Sequence, residues 1–318
     1  MKFIQPLTLI ITALFLLITP YPVSAGSYGL SLNPPLLKVN IRPGKSITQV
    51  FTITNLSSDD KFLVARVIPF SETDSRGNPE IDLKKTAPWL SYFSLANSNI
   101  NLGSPFSIKA NASEQLVMSI NIPPTAILRD IYATLLVSTY SNLTGLNYQG
   151  SLVSATIGSN ILITIHPELN PPTLLKINEL TPVSGTFFKF GNYYFADSIT
   201  PISFISSVEN SGNFISETKG LFKITGKNDT PVYLEGILPV YVVSNTQRIL
   251  MNTDGKNFSF NPNLAKLGFH KATIQIKTDN ANAESSIDIF FFPFKMSLGL
   301  FLALGLLGLI IRLPKPKP

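Results

Sequence analysis

Residues 113–139 read SEQLVMSINIPPTAILRDIYATLLVST, and apolar side chains recur at every second position at both ends of this stretch. Leu116, Met118 and Ile120 share one side of the first run, and the second run repeats the pattern from Ile131 to Val137. Alternation with a period of two is typical of β-strands that bury one face and leave the other in water. The stretch therefore predicts two half-buried strands.

The same alternation occurs along the rest of the chain, for example in ILITI (residues 161–165) and in KATIQIK (residues 271–277). The turn-forming clusters SSDD, DSRGNP, NSGN, GKND and NTDGKN separate such runs. Many short strands at regular spacing, with no convincing amphipathic helix between them, indicate an all-β fold class. We predict two tandem immunoglobulin-like β-sandwich domains.

The segment NPPLLKVNIRPGKSITQVFTITN (residues 33–55) predicts how the first domain begins. Pro34 and Pro35 lack backbone donors and suit the edge of a sheet, where a missing hydrogen bond is tolerated. The Pro-Gly pair at residues 43–44 predicts a turn, and SITQVFTITN then predicts a strand that crosses the core.

The boundary between the two domains is predicted at HPELNPP, residues 166–172. Three prolines within seven residues cannot continue a hydrogen-bonded ladder, so this segment is interpreted as a stiff connector. The first sandwich is accordingly predicted at residues 26–168 and the second at residues 169–294. About 270 residues are enough for two domains of ordinary size.

Residues 1–25 have the features of a secretory signal peptide. Lys2 precedes an apolar run at residues 7–18, and small residues lead to a predicted cleavage site between Ala25 and Gly26. The alternative is an uncleaved N-terminal membrane helix.

The sequence from Met296 to Ile311 contains no charged residue, and it predicts a transmembrane helix at residues 295–313. Its sixteen residues would rise roughly 24 Å, less than the ~30 Å hydrocarbon core, and local thinning of the bilayer or snorkelling of the flanking Lys295 and Arg312 side chains would close that gap. The alternative is a buried core helix.

The residues after this run predict the orientation of the chain. Arg312, Lys315 and Lys317 are interpreted as cytoplasmic anchor charges, with residues 314–318 as a short basic tail. The predicted location is therefore the cell membrane, as a single-pass type I protein with most of the chain outside the cytoplasm.

The net charge of +6 does not indicate a nucleic-acid partner. Removing Lys2, Arg312, Lys315 and Lys317 from the 25 basic residues leaves 21, against 19 acidic residues, in the predicted exported part. An exported part that is almost neutral lacks the electrostatic footprint of a nucleic-acid-binding surface. The absence of cysteine, with many Asn, Ile and Lys residues, favours a bacterial cell-surface protein.

The sequence predicts no enzyme, no cofactor and no metal site. His166 and His270 are the only histidines, and they are interpreted as exposed loop residues. Four oxygen-bearing residues in the segment 74–82 leave a calcium site open, although their spacing favours a solvated hairpin tip. Trp89, the only tryptophan, is assigned to the sandwich core, with stacking on a sugar as the alternative.

Several of these segments, taken in order, resemble a known family. PPLLKVNIRPGKSITQVFTITN, the DSRGNP turn and APWLSYFSL resemble the peptidoglycan-binding domain of WxL-interacting proteins, which are surface proteins of Gram-positive and related bacteria. Pro124, Ala126 and Tyr132 occur in the order of that family's "P-x-x-A-x-x-G-x-Y" pattern but not at its spacing, and Arg129 and Asp130 stand where the family tends to have glycine.

The second half of the chain is similar in outline to the partner-binding domain that follows in those proteins. VENSGN, GLFKITG and KATIQI correspond to its segments, and residues 243–248 form a reduced version of its "L-P-x-S-x-R" motif. The family's ending, a single membrane span with a short basic tail, is similar to the C-terminus of this chain.

The resemblance implies a non-catalytic, membrane-anchored surface protein for adhesion or scaffolding. The first domain would bind cell-wall peptidoglycan and the second a surface protein. Two alternatives from other classes stay open. The first is a pilus-type assembly chaperone, which a double sandwich favours, and the second is a hydrolase of cell-wall glycan.

Overall fold

The computed structural model of the chain describes residues 29–71, 73–140, 155–278 and 282–312, with side chains of the last helix described as far as Leu309. The predicted signal peptide with its Ala25–Gly26 cleavage site lies outside the described residues. Lys315 and Lys317 of the predicted tail lie outside them as well.

The described residues form mostly β-strands, as the sequence predicts. In chain order the strands are β1 (Leu30–Asn33), β2 (Leu36–Ile41), β3 (Ser46–Asn55), β4 (Lys61–Pro69), β5 (Phe93–Leu95), β6 (Pro105–Ile108), β7 (Ser113–Asn121), β8 (Arg129–Thr139), β9 (Thr156–Ile165), β10 (Leu175–Ile177), β11 (Thr181–Ser184), β12 (Phe187–Phe190), β13 (Tyr193–Asp197), β14 (Ile202–Ile205), β15 (Ser207–Asn210), β16 (Ser216–Thr225), β17 (Pro231–Val242), β18 (Thr246–Ile249), β19 (Phe258–Phe260), β20 (Gly268–Lys277) and β21 (Asn282–Phe292). One α-helix, α1 (Phe294–Arg312), follows them.

Strands β1 to β9 form the first sandwich, which has a four-stranded sheet in the order β1-β3-β7-β5 and a five-stranded sheet in the order β2-β9-β8-β4-β6. Strand β1 pairs antiparallel with β3, and β2 pairs parallel with β9 in the opposite sheet. Pro34 and Pro35 lie between β1 and β2, and both strands are sheet edges, as the sequence predicts.

The core of the first sandwich lies between these two sheets and confirms the alternation read from the sequence. Leu116, Met118 and Ile120 of β7 are fully buried, because every second side chain of a strand points to the same face. Burying side chains of this size stabilises the fold by roughly 1.5–3 kcal/mol each. Trp89 packs in this core against Phe93, with 6.1 Å between ring centroids, so it lies in the core and not on a sugar-binding surface.

Strands β10 to β21 form the second sandwich. A six-stranded sheet in the order β12-β13-β21-β20-β16-β17 packs with two three-stranded sheets, β10-β15-β18 and β11-β14-β19. The core of the second sandwich is rich in phenylalanine; its fully buried rings are Phe204, Phe222, Phe258, Phe260 and Phe291.

A third, smaller apolar cluster joins the two sandwiches. Phe70, Tyr132 and Leu162 contribute to it from the first sandwich, and Ile215 and Val243 contribute from the second. No strand occurs in the described segment between the end of β9 and the start of β10, so the chain crosses from one sandwich to the other there.

The structure corrects the predicted membrane anchor. Helix α1 exposes its large apolar side chains from Met296 to Leu309. Within the described residues, no helix combines the length and the apolar character that crossing a membrane requires. The predicted span from Met296 to Ile311, with Arg312 as an anchor charge, and the single-pass membrane location are therefore wrong on the described residues. The physical reason is the run's length, since sixteen residues rise roughly 24 Å against a hydrocarbon core of ~30 Å.

Candidate functional site

A cavity of about 800 Å³ lies between the two sandwiches. Residues 38–40 of β2 line it from the first sandwich, and residues 215–217 line it from the second, at the start of β16. The connecting segment contributes Leu169 and Thr173 to the wall. A cavity of this size between two domains is a common setting for binding sites.

Strand β2 presents an unpaired edge to this cleft. It is the terminal strand of its sheet, and among the described strands it pairs only with β9. The Pro35 carbonyl accepts a hydrogen bond from the Asn160 N–H at 3.0 Å. Because the backbone groups of successive residues point to opposite sides of a strand, those of Leu36, Lys38 and Asn40 face away from β9.

The connecting segment covers one end of this edge. The Asn40 side-chain amide donates to the carbonyl oxygens of Glu168 at 2.6 Å and Leu169 at 3.0 Å. These two hydrogen bonds hold the connection against the end of β2. The open part of the edge is therefore at Leu36 and Lys38.

The cleft is lined by more positive than negative charge. Glu217 lies between two lysines, with its Oε2 at 4.0 Å from the Lys38 Nζ and its Oε1 at 3.3 Å from the Lys219 Nζ. Lys277 adds a third lysine to the lining. Lys38 also lies over the Tyr241 ring, with 4.7 Å from Nζ to the centroid. Partial burial raises the pKa of Tyr241, and the charge of Glu217 raises it further. An acidic group suits this lining better than a basic one.

A polar network around Asp130 lies next to the cleft. Its Oδ1 accepts from the Thr164 hydroxyl at 2.7 Å. Its Oδ2 accepts from the Tyr132 hydroxyl at 2.6 Å and from the Ile215 N–H. Burial raises the pKa of Asp130, and the three donors oppose that rise in part. Thr164 and Ile215 also line the cavity, so the network and the cleft share residues.

The Tyr132 hydroxyl extends this network into the second sandwich. It lies 3.1 Å from the Ser244 Oγ and accepts from the Ser244 N–H at 3.2 Å. Burial raises the pKa of this phenol, and the charge of Asp130 raises it further. The tyrosine is therefore a neutral hydroxyl that contacts both sandwiches.

The loop at residues 74–82, which the sequence leaves open as a calcium site, forms a second contact between the sandwiches. The Asp74 carboxylate accepts from the Asn78 side chain at 2.8 Å and from the backbone N–H groups of Asn78 at 2.8 Å and Arg76 at 2.9 Å. These bonds, with the Asn78 side chain first, lower the pKa of Asp74. In the part of the chain that the structure describes, no cluster of three or more His, Cys, Asp or Glu residues is placed to hold a metal ion.

This loop docks on strand β18 of the second sandwich. The Ser75 carbonyl accepts from the Ile249 N–H at 2.7 Å. Gly77 packs against the Arg248 guanidinium, whose Nη1 donates to the Tyr241 carbonyl at 2.7 Å. Burial lowers the pKa of Arg248, and the charge of Asp74 opposes that change. The sequence singled out residues 74–82 and 243–248 separately, and the structure brings them together.

One of the two histidines is not in the exposed loop that the sequence predicts. His270 is buried in β20, with its ring edge-on to Phe291 at 5.2 Å between centroids. The reason is that the residue falls on the inward face of a strand. His166 is half-buried next to Phe214, and it accepts from the Glu168 N–H at 3.0 Å.

No protein-family model matches the sequence, and a search of curated proteins finds no match. Among solved structures, the chain is similar to the E. coli chaperone DraB at 13% identity, over 81% of this chain and 97% of that chain, with a TM-score of 0.33. It is similar to the class 5 fimbriae chaperone CfaA at 10% identity, over 83% and 100% of the two chains, with a TM-score of 0.37. It is also similar to a chain of the Salmonella enterica SafA pilin–SafB chaperone complex at 13% identity, over 83% and 97%, with a TM-score of 0.34.

Each of these three structures is of a chaperone or of a complex that contains one. Peptidoglycan binding finds no support in the comparisons, and the one tryptophan is buried in the core. That prediction is corrected together with the membrane anchor.

Proposed function

We propose that this protein is a non-catalytic binding protein of the chaperone type, which holds an extended segment of another polypeptide in the cleft between its sandwiches. The observation that carries the proposal is the unpaired edge of β2 along the wall of the cleft. An exposed sheet edge presents backbone donors and acceptors, and a partner strand pairs with them by β-augmentation.

The charges of the cleft indicate the composition of the partner segment. Lys38, Lys219 and Lys277 outnumber Glu217 in the lining. A strand that pairs with Leu36 and Lys38 would place an acidic side chain, or a terminal carboxylate, within reach of these lysines. We therefore expect the bound segment to alternate apolar residues with polar ones and to carry at least one carboxylate.

The proposal includes the organisation predicted from the sequence, with two tandem immunoglobulin-like domains at residues 26–168 and 169–294. We also propose that the partner is a surface protein, as the resemblance to WxL-interacting proteins implies. The two cores on either side of the connecting segment support this organisation.

The test is a selection of 12-residue peptides from a phage-displayed library on the full chain, followed by affinity measurements on two variants. Lys38→Pro removes the outward N–H together with the charge, and it leaves the bonds to β9 because that N–H faces away from β9. Lys38→Met is the matched control that removes the charge alone. We expect the selected peptides to bind Lys38→Pro at least about tenfold more weakly than Lys38→Met, since proline at an edge blocks strand pairing.

Equal affinity of the selected peptides for both variants would exclude strand addition at β2. Failure to enrich any peptide that prefers the wild-type chain to Lys38→Pro would also contradict the proposal. Far-ultraviolet circular dichroism of both variants checks that the sandwiches remain folded.

A further inference from the structure

We infer that Asp130 is a positioning residue, a latch between the sandwiches that fixes their relative orientation and thereby the width of the cleft. The inference rests on the proposed function for its biological consequence. The relative orientation of the sandwiches is a property of the free chain, and the experiment below measures it without any partner.

Two side chains of β8 form the latch, and both make hydrogen bonds to the second sandwich. Asp130 and Tyr132 are two residues apart on β8, so their side chains lie on the same face of that strand. That face is turned to the second sandwich, where the Ile215 N–H donates to Asp130 and Ser244 contacts the Tyr132 hydroxyl. One carboxylate therefore links a strand of the first sandwich to the start of β16 in the second.

The apolar surroundings of the latch strengthen these hydrogen bonds. Tyr132 stacks on Phe70 with 5.7 Å between centroids, and Leu162, Ile215 and Val243 complete the apolar cluster around it. Hydrogen bonds in such surroundings are stronger than in water, and a donor left without its acceptor there is costly. An alternative orientation would leave the Ile215 N–H and the carboxylate without each other.

The latch is coupled directly to the cleft. Thr164 and Ile215 donate to Asp130, and both residues line the cavity. Loss of the carboxylate frees the start of β16 from β8, and Ser216 and Glu217 at that start form the opposite wall. The width of the cleft therefore depends on this carboxylate.

The titratable groups that face the latch are few. Tyr132 donates to the carboxylate, and Lys38 on β2 is the cation that acts on its charge. Glu217 and Tyr241 lie beyond Lys38, and His166 packs on Phe214 near the end of β9. Burial gives Asp130 a pKa above its ordinary value of 3.8, so the docked arrangement binds a proton more readily than a separated one. Docking should therefore strengthen as the pH falls through that raised pKa and weaken as the pH rises through it.

The experiment measures the distance between the sandwiches. The chain has no cysteine, so Ser107→Cys and Ser259→Cys place spin labels at two exposed positions, on β6 and β19. Double electron–electron resonance on the labelled full chain gives the distribution of label distances. We expect Asp130→Ala to at least double the width of the distribution. Asp130→Asn should keep the width and abolish its dependence on pH between about pH 8 and about pH 4.

Asp60→Ala is the matched control, because Asp60 is a solvent-exposed aspartate of the same sandwich, paired with Lys109. It should leave the distribution unchanged. If Asp130→Ala fails to fold, Tyr132→Phe replaces it, and a broader distribution is again expected because Ser244 loses its partner. A distribution for Asp130→Ala or Tyr132→Phe as narrow as that of the wild type would overturn the inference. These distances are measured without peptide, so their outcome is independent of whether peptides bind at β2.

Discussion

Two aspartates of the first sandwich lie at its contact with the second, and they differ in their environment. Asp130 is half-buried beside the apolar cluster of the interface, and this partial burial raises its pKa. Asp74 lies in water at the tip of a loop, and hydrogen bonds within that loop lower its pKa. The half-buried carboxylate accepts directly from the other sandwich, whereas the exposed one shapes a loop whose backbone makes the contact at Ile249.

Burial therefore determines how much each of these two contacts contributes to the free energy of unfolding. A carboxylate removed from water costs free energy that its donors must offset, so removing it leaves those donors unsatisfied. A solvated carboxylate has water as a substitute partner. We expect the Asp130 contact to contribute more to the docking of the two sandwiches than the contact made by the Asp74 loop.

The largest effect should follow from Asp130→Ala. The Thr164 and Tyr132 hydroxyls and the Ile215 N–H would lose their common acceptor, at a cost of about 2 to 3 kcal/mol in the free energy of unfolding. Urea denaturation followed by circular dichroism measures this loss. Asp60→Ala serves as the exposed control, and equal midpoints for the two variants would contradict the comparison.

An intermediate effect should follow from Gly77→Ala in the docked loop. Gly77 and Gly103 both have positive φ angles, of 83° and 80°, so alanine at either position carries a backbone penalty of about 1 kcal/mol. A Cβ at Gly77 would also lie 2.4 Å from the Arg248 Cζ, whereas one at Gly103 would meet no atom within 4 Å.

Gly77→Ala should therefore lower the unfolding free energy by about 1 kcal/mol more than Gly103→Ala, since the Arg248 guanidinium must move and would lose its hydrogen bond to the Tyr241 carbonyl. The same urea denaturation compares the two variants. Equal losses would show that the loop is not held against Arg248.

The smallest expected effect on the free energy of unfolding is its pH dependence, which follows from the opposite pKa shifts of Asp130 and Asp74. Carbon-13 NMR of the carboxyl groups should place the midpoint of Asp130 above 3.8 and that of Asp74 below 3.8. The stability that Asp130 contributes is present below 3.8 and is lost as the pH rises through its raised pKa. The stability that Asp74 contributes is present above 3.8 and is lost as the pH falls through its lowered pKa. Midpoints on the same side of 3.8 would contradict the assignment of these environments.

The strands of both cores were predictable from the sequence, because alternation records which side of a strand faces its own core. In β8 the predicted residues Ile131, Ala133 and Leu135 are buried in the first sandwich. The same period assigns Tyr132 to the wet face, yet its side chain is only 6% exposed. The second sandwich covers that face, and a contact with residues more than 80 positions away leaves no trace in a local period.

The candidate site was less predictable for the same reason. The prolines at residues 34–35 did indicate an edge, which the structure confirms for β2. Asp130 appeared only as a departure from a motif, and Arg248 only as the last residue of a reduced one. No local signal marked them, because Asp130 and Tyr132 share their face of β8 with Thr134, and polar residues are what the wet face of a half-buried strand carries.

The most direct test of the account is amide hydrogen exchange at β2 with a peptide selected on the wild-type chain. In the free protein, the outward N–H groups of Leu36 and Lys38 should exchange fast, while those of Leu37 and Val39 are protected by β9. The peptide should slow exchange at Leu36 and Lys38. Unchanged exchange at these two residues, with new protection at another edge such as β17, would contradict strand addition in the cleft.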